Sequence, residues 1–230
     1  MMIPLRRPSR SDPIMSICGL NGSGKTLLAT SWCWEHLKDG GRVLSNVPLQ
    51  HPQAAVLETI AQLDDARDCL VLLDEVTAWM PGRGWQSVPR EVLAAIAQLR
   101  KRNLQLIWTS PSMDDADVQL RRVTVSSIIC APLFRTGWNA PLFVLSRRYD
   151  RDLPGPYSLW SPKWAPSWGK YDTTAIITPA GAAGYCAECG FRIKPDKTVC
   201  ACKLPTPPII WRDPGPQHAF HDEQPPTPLQ

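Results

Sequence analysis

Short apolar runs of strand length alternate with helical patterns along the first two thirds of the chain. Four such runs lie at 14–18, 42–47, 69–73 and 104–108. The run at 69–73 is almost continuously apolar, which is typical of a strand buried on both faces of a parallel sheet. Helices are predicted at 25–38, 54–63 and 89–102, with a short one at 114–122. The pattern therefore predicts an α/β fold with a mostly parallel sheet.

Two later runs of β-like sequence, 123–130 and 142–145, are separated by a segment that contains Pro132, Gly137 and Asn139. Proline and glycine between two β-like runs indicate a turn. We therefore expect an antiparallel hairpin that extends the parallel sheet.

The first predicted strand leads directly into a glycine-rich motif, G-x-x-x-x-G-K-[ST], at residues 19–26. Its glycines allow successive backbone N–H groups to face a phosphate, and the following helix adds positive potential. Lys25 is predicted to reach the β- and γ-phosphates of ATP, and the Thr26 hydroxyl to bind Mg²⁺. The predicted nucleotide-binding residues are Gly19, Asn21, Gly22, Ser23, Gly24, Lys25, Thr26 and Leu27. The alternative is a glycine-rich turn that only happens to fit the pattern.

The third apolar run ends in two acids, Asp74 and Glu75. A buried strand that carries an Asp to the carboxyl edge of the sheet is typical of a Walker B element. Asp74 is predicted to hold Mg²⁺ and Glu75 to polarise the attacking water. The alternative is a strand that ends in a solvated acidic turn. The fourth run delivers Thr109 and Ser110 to the same edge, where we expect Ser110 to sense the γ-phosphate.

Composition limits the classes of protein without deciding among them. The net charge of +4 and the pI of about 8.7 suit contact with a polyanion but do not require one. No run approaches the roughly 20 apolar residues of a membrane span, and the amino terminus lacks a signal-peptide pattern. We therefore expect a cytoplasmic protein, with association at the membrane periphery or with a virion left open.

The predicted domain organisation follows shifts in composition. Residues 1–13 form a flexible basic arm, 14–153 the nucleotide-binding domain, and 154–183 a strap and linker rich in Trp and Pro. An extended strap lying on the core is favoured there over a platform that stacks nucleic-acid bases. A cysteine module is predicted at 184–204, and a disordered Pro-rich tail at 205–230.

Four cysteines are paired in the cysteine module, as Cys186 with Cys189 and Cys200 with Cys202. Two close pairs around a turn are how small structural Zn²⁺ sites are built, and four thiolates would close the coordination shell. The second pair is C-x-C rather than C-x-x-C, and two disulfides are the alternative, which a reducing compartment disfavours.

These motifs, taken in order, resemble the Zot-like ATPases of the FtsK/HerA group of P-loop proteins. The resemblance covers about 14–150 and rests on GLNGSGKT, LLDE, the block RKRN-strand-TS, the pair Arg121-Arg122 and the hairpin. It implies an oligomeric, often hexameric, ATP-driven motor that moves DNA. It also implies a basic finger that reaches a neighbour's ATP, for which Arg102 and Arg100 are the candidates, with Arg121 and Arg122 next.

Two departures from the family pattern matter. Many relatives have Gln where Ser110 stands, and phage members carry a transmembrane segment that this sequence lacks. We therefore expect a motor for phage or plasmid DNA packaging, transfer or translocation, with phage or plasmid assembly proteins as further partners. The alternatives are filamentous-phage assembly and export, and a nucleotide-dependent switch or scaffold without motor activity.

Overall fold

The computed structural model describes residues 13–78, 98–135, 141–150, 153–162, 165, 167 and 208–211. Within these ranges the chain forms one eight-stranded sheet with helices on its faces. The strands are β1 (Ile14–Cys18), β2 (Val43–Ser45), β3 (Ala54–Val56), β4 (Leu70–Leu73), β5 (Gln105–Ser110), β6 (Ser126–Arg135), β7 (Pro141–Asp150) and β8 (Leu153–Trp160). The α-helices are α1 (Lys25–Lys38) and α2 (Val118–Val123). Short 3₁₀ turns span Ile60–Asp64, Val76–Ala78, Leu99–Arg102 and Met113–Asp115.

The strand order is β3-β2-β4-β5-β1-β6-β7-β8. Strands β1 to β6 run parallel, whereas β7 and β8 are antiparallel to their neighbours. The predicted mostly parallel sheet and the predicted hairpin of β6 and β7 are therefore confirmed. Strand β1 lies between β5 and β6, so the loop that follows it leaves the middle of the sheet.

Two apolar clusters cover the two faces of the sheet. On one face α1 packs through Trp32 and Leu28 against Met15, Ile17 and Ile107. On the other face the core contains Ile14, Leu73, Trp108 and Leu120, among others. Burying one such side chain contributes roughly 1.5–3 kcal/mol, so both faces stabilise the strands that carry the site. This two-sided burial explains the near-continuous apolar runs of β1 and β4.

The predicted helix at 54–63 is wrong. Residues 54–56 form β3, a short edge strand that pairs with β2, and the 3₁₀ turn Ile60–Asp64 follows. The side-chain oxygen of Gln62 accepts hydrogen bonds from the backbone N–H groups of Glu58 and Thr59 and so starts this turn. Pairing with the sheet outweighs the helical preference of the two alanines, because packing commonly overrides weak local propensity.

The sheet extends beyond the predicted boundary at residue 153. Strand β8 pairs with β7, and its last residue, Trp160, is buried against the α1 face. The predicted strap therefore begins as a strand of the same sheet. Ser167 is also buried, and its hydroxyl lies 2.9 Å from the hydroxyls of Thr30 and Ser31 on α1.

Part of the tail predicted to be disordered is ordered. Ile209 and Trp211 pack against the core on the face opposite α1, and the Arg42 guanidinium lies 4.3 Å from the centroid of the Trp211 ring. Residues 1–12 of the predicted basic arm, most of the predicted helix at 89–102 and the predicted cysteine module lie outside the described residues.

Candidate functional site

The predicted site residues converge at the carboxyl edge of the parallel strands. Cys18, the last residue of β1, pairs with Ser110, the last residue of β5. Leu73, the last residue of β4, pairs with Trp108 of β5. The chain leaves β1 as the phosphate loop, defined here as residues 19–26, and leaves β4 as Asp74 and Glu75. The carboxyl edge of such a sheet is where ligands of α/β proteins bind.

The backbone conformation of the phosphate loop favours glycine, as Gly19 and Gly24 show. Gly19 has φ +149°, and a Cβ there would lie 2.3 Å from the backbone oxygen of Cys130 on β6. Gly24 has φ +88° and precedes the first residue of α1. The Gly19 N–H donates to the backbone oxygens of Ser110, at 3.3 Å, and Pro111, at 3.2 Å. The loop is thus hydrogen-bonded to the end of β5 and lies close to the backbone of β6.

Lys25 is almost fully buried within this loop, with 4 % of its side chain exposed. Its Nζ donates to the backbone oxygen of Leu20 at 3.4 Å and lies 3.6 Å from Oε1 of Glu75. A buried ammonium group needs a compensating anion, and in the described residues the carboxylate of Glu75 supplies it. Lys25 therefore lies where a bound phosphate could replace Glu75 as its counter-charge.

Asp74 is the centre of the hydrogen-bond network at this edge. The Thr26 hydroxyl lies 2.9 Å from both Asp74 carboxylate oxygens, and the Thr109 hydroxyl donates to Oδ1 at 2.7 Å. Asp74 is 2 % exposed, and burial raises the pKa of its carboxyl group, which the two threonine hydrogen bonds partly oppose. Lys25 lowers the same pKa by a smaller amount.

Asn46 is a site residue that the sequence prediction missed. Its side-chain amide donates to the backbone oxygen of Asp74 at 2.8 Å and accepts from the Asp74 N–H at 2.8 Å. It follows β2, which neighbours β4 in the sheet, so it reaches the same edge. The signal that could have identified it is a polar residue near the end of the second predicted strand, 42–47, which lies next to β4 in the sheet.

Glu75 has φ +50°, a left-handed backbone conformation that is uncommon outside glycine. Its N–H donates to the Thr109 hydroxyl at 2.9 Å, which in turn donates to Asp74. Its side chain is about one third exposed and contacts Lys25. Local strain of this kind tends to concentrate at functional sites.

Thr109, rather than Ser110, is the residue of β5 that contacts Asp74 and Glu75. Adjacent residues of a strand point to opposite faces, so only one of the two can face Asp74. The Ser110 hydroxyl is fully buried and donates to the backbone oxygen of Ser112 at 2.7 Å. The structure therefore does not bring Ser110 to Asp74.

The solved structure of the N-terminal domain of zonular occludens toxin from Neisseria meningitidis is similar to this chain. The TM-score is 0.51 at 17% identity, and the match covers 70% of this chain and 98% of that domain. Together with the phosphate loop and the strand order, this likeness decides the fold. The chain has a P-loop NTPase fold.

Two structures of the genome packaging NTPase B204 from Sulfolobus turreted icosahedral virus 2 match less well. The complex with AMP has a TM-score of 0.47 at 13% identity, and the complex with ATP-gammaS has 0.46 at 14%. Each match covers 66% of this chain and 98% of B204. No protein-family model and no curated protein sequence matches the chain.

The P-loop residues fit a nucleotide–Mg²⁺ complex. Mg²⁺ prefers hard oxygen ligands, and the Thr26 hydroxyl and the Asp74 carboxylate supply them side by side. The Ser23 hydroxyl is buried and has no hydrogen-bond partner in the described part of the chain. Asn21 is exposed at the tip of the loop, and Leu27 is buried in the core beneath it.

The structure does not bring the predicted Arg102 finger to the phosphate loop. Arg102 ends the 3₁₀ turn that precedes β5, at the amino edge of the sheet. Its guanidinium donates to the backbone oxygens of Leu63 and Asp64, at 3.1 and 2.7 Å. Arg100 belongs to the same turn. A role for either residue at a neighbour's nucleotide stays a prediction.

Arg121 and Arg122, the other finger candidates, lie in the last turn of α2. Arg121 contacts Asp114 at 3.0 Å, and Arg122 is exposed. The four paired cysteines lie outside the described residues, within which no cluster of His, Cys, Asp or Glu could hold a metal ion. Within the same residues no helix is long and apolar enough to cross a membrane.

Proposed function

We propose that the chain binds ATP with Mg²⁺ and hydrolyses the bond between its β- and γ-phosphates. The observation that carries this proposal is the arrangement at the carboxyl edge of the sheet. There the Thr26 hydroxyl lies 2.9 Å from both oxygens of Asp74, and Lys25 lies 3.6 Å from Glu75. A cation, a hydroxyl and two carboxylates are the groups that phosphoryl transfer to water requires.

Each residue has a separate part in the proposed reaction. Backbone N–H groups of the phosphate loop bind the phosphate oxygens, and Lys25 stabilises the charge that develops on the γ-phosphate. Thr26 and Asp74 would hold Mg²⁺, which neutralises phosphate charge when it is bound. Glu75 accepts a hydrogen bond from the attacking water and orients it.

We further propose that hydrolysis drives the movement of DNA by a homo-oligomer, with a hexameric ring as the expected form. The order of motifs supports this proposal through its resemblance to the FtsK/HerA group, and the net charge of +4 suits a polyanion. The resemblance of the motifs to the Zot-like ATPases supports a second candidate, assembly or export of filamentous phage. A nucleotide-dependent switch without motor activity is the third.

We also propose that Cys186, Cys189, Cys200 and Cys202 hold one structural Zn²⁺. The spacing of two close pairs within 17 residues supports this proposal. The site would be closed by four thiolates, so it would stabilise the module and take no part in the reaction.

The first experiment measures ATP hydrolysis and ATP binding separately. We expect Lys25→Ala to lower kcat by about 100-fold or more, because a charge that stabilises the transition state is lost. Glu75→Gln should bind ATP but leave it unhydrolysed, because the amide keeps the shape and lacks the base. The matched controls, Lys38→Ala and Glu58→Gln, change exposed residues away from the loop and should retain wild-type turnover. Wild-type turnover by the Glu75 variant would overturn its assignment.

The second experiment adds DNA to the wild-type chain. A motor should hydrolyse ATP severalfold faster with DNA, because its cycle is coupled to DNA contact. A switch or scaffold should keep its basal rate. Stimulation by phage assembly proteins, but not by DNA, would favour the assembly candidate.

A further inference from the structure

The two outer strands of the sheet contact the phosphate loop directly. A Cβ placed on Gly24 would lie 3.1 Å from Cγ2 of Val144 on β7 and 3.3 Å from the ring of Trp160 on β8. These two side chains are almost fully buried, with 0 % of Val144 and 9 % of Trp160 exposed. Gly24 is therefore packed against side chains from strands that follow it by more than one hundred residues.

The orientation of the Trp160 ring is fixed by a hydrogen bond. Its Nε1 donates to the Ser146 hydroxyl on β7 at 2.8 Å, and Ser146 is fully buried. An indole N–H inside a core needs an acceptor, and Ser146 supplies one. The ring is thus held by β7 while its edge rests on the loop.

Gly24 lies directly before two of the proposed nucleotide-binding residues, so a displacement of its backbone would change their positions. It immediately precedes Lys25 and Thr26, which begin α1, and its φ of +88° sets the direction in which the loop enters the helix. A shift of Gly24 moves both residues together, and positions in a phosphoryl-transfer site must be held to a fraction of an ångström.

We propose that Trp160 is a positioning residue for the phosphate loop, oriented by Ser146, and that it couples the outer strands to nucleotide binding. The inference rests on the proposed function, because it concerns the same nucleotide. Coupling is reciprocal, so nucleotide binding should also change the surroundings of Trp160.

The first test compares two hydrogen-bonded pairs of the same kind on opposite faces of the sheet. Trp160→Phe and Ser146→Ala each break the pair beside the loop. The matched control is Trp108, whose Nε1 donates to the Thr124 hydroxyl at 3.0 Å on the other face. Trp108→Phe and Thr124→Ala lose an equivalent hydrogen bond without touching the loop.

We measure the Kd for AMP-PNP with Mg²⁺ and the free energy of unfolding for each variant. Trp160→Phe and Ser146→Ala should raise this Kd by about fivefold or more, the effect of roughly one hydrogen bond. The control variants should change the Kd for AMP-PNP by less than about twofold, although they should lose about as much free energy of unfolding as the loop-side variants. The double variant Trp160→Phe/Ser146→Ala should be less impaired than the sum of its parts, because no buried polar group is left unpaired.

The second test is a direct readout at the ring. In chain labelled with 5-fluorotryptophan, the Trp160 ¹⁹F resonance is identified by its loss in Trp160→Phe. It should shift when AMP-PNP and Mg²⁺ are added, whereas the Trp108 resonance should not. A residue that only stabilises the fold would give no such difference.

The outcomes separate this inference from the proposed function. If the wild-type chain hydrolyses ATP while the loop-side and control variants have equal Kd values and the Trp160 resonance stays fixed, the inference is overturned and the function stands. If the wild-type chain binds no AMP-PNP, both are overturned.

Discussion

At the scale of single residues, the most consequential feature is a carboxylate placed where the fold opposes its charge. Asp74 is buried, and desolvation raises its pKa despite hydrogen bonds from Thr109 and Thr26. A raised pKa in the folded state means that the ionised form is more stable in the unfolded chain. The charge of Asp74 therefore costs stability, as expected when a group is kept for binding a cation.

We expect Asp74→Asn to have a larger free energy of unfolding than the wild-type chain near pH 7–8, when neither nucleotide nor Mg²⁺ is present. The cost of ionised Asp74 is fully present above its folded pKa and disappears as the pH falls below its unfolded pKa. The advantage of the variant should therefore shrink toward pH 4. Chemical denaturation at several pH values measures it, and an advantage that grows at low pH would contradict the assignment. The same variant should lose ATPase activity.

Asn46 provides a second test at this scale. Its amide makes two hydrogen bonds with the backbone of Asp74. Asn46→Ala should lower the free energy of unfolding by about 1–3 kcal/mol, because buried backbone groups lose their partner. It should lower kcat by roughly tenfold or more, since the carboxylate loses its fixed position. If the variant loses this stability but keeps the wild-type kcat, Asn46 has a structural role and no part in positioning the carboxylate for the reaction.

The site residues that belong to a sequence motif could be predicted. The site residues whose role depends on the arrangement of neighbouring strands could not. The phosphate loop and the Asp74-Glu75 pair follow from spacing after apolar runs. The roles of Thr109 and Asn46 depend on which face of a strand each side chain occupies and on which strand lies next to β4. Neither is encoded locally, so the sequence does not indicate the contact of Thr109 with Asp74. The role of Ser110 as a γ-phosphate sensor stays a prediction.

At the scale of elements, buried strands were predictable and edge elements were not. Strands β1, β4 and β5 are covered on both faces, so their apolar runs are unambiguous. Strand β3 has only three residues and one neighbour, and its Ala-rich sequence equally fits a helix. Strand β8 contains Pro154, Gly155 and Pro156, a composition typical of a linker, and edge strands tolerate proline.

The connection between the strap and α1 can be tested at Ser167. Its buried hydroxyl lies 2.9 Å from the hydroxyls of Thr30 and Ser31 and 3.3 Å from the backbone oxygen of Leu27. Ser167→Ala should lower the free energy of unfolding by about 1–2 kcal/mol, because this network loses its centre. Ser127→Ala, at a half-buried position with one weak contact to sulfur, is the control. Equal stability of the two variants would show that this contact contributes nothing in solution.

At the scale of the whole molecule, the chain returns to its own core after the cysteine module. Ser167 is attached to α1, and Ile209 and Trp211 pack against the opposite face of the sheet. Described residues on both sides of the predicted cysteine module therefore contact the core of the sheet domain. The sequence could not show this, because Trp211 lies among prolines and its partner Arg42 is far away in sequence.

The proposed Zn²⁺ site predicts a metal content. Chain purified under reducing conditions without chelators should carry about one zinc per chain, because four thiolates complete a tetrahedral shell. Cys186→Ser with Cys189→Ser should abolish it, whereas Cys69→Ser changes a buried core thiol and should not. Metal analysis that finds no zinc in the wild-type chain would remove the site.

Communication between subunits can be tested by mixing inactive variants. Arg102 is engaged with Leu63 and Asp64 of its own chain, so Arg102→Ala should mainly lower the free energy of unfolding, by about 1–2 kcal/mol. Arg122 is exposed, so in the proposed oligomer it is available for contact with a neighbouring subunit. Arginine stays charged and its guanidinium matches phosphate oxygens. We therefore expect Arg122→Ala to lower ATPase activity without a comparable loss of stability.

In an equal mixture of Arg122→Ala with Glu75→Gln, half of the subunits carry each defect. If Arg122 acts on the neighbour's nucleotide, about a quarter of the interfaces combine an intact Arg122 with an intact Glu75, and activity should return toward that fraction. Lys38→Ala mixed with Glu75→Gln is the control, because its activity comes from the intact subunits and should only be diluted. If ATPase activity is restored instead when Arg102→Ala is mixed with Glu75→Gln, and the two variants are shown to assemble together, Arg102 is the residue that acts on the neighbour's nucleotide. If Arg122→Ala and Glu75→Gln assemble together and the mixture stays inactive, Arg122 does not act on the neighbour's nucleotide.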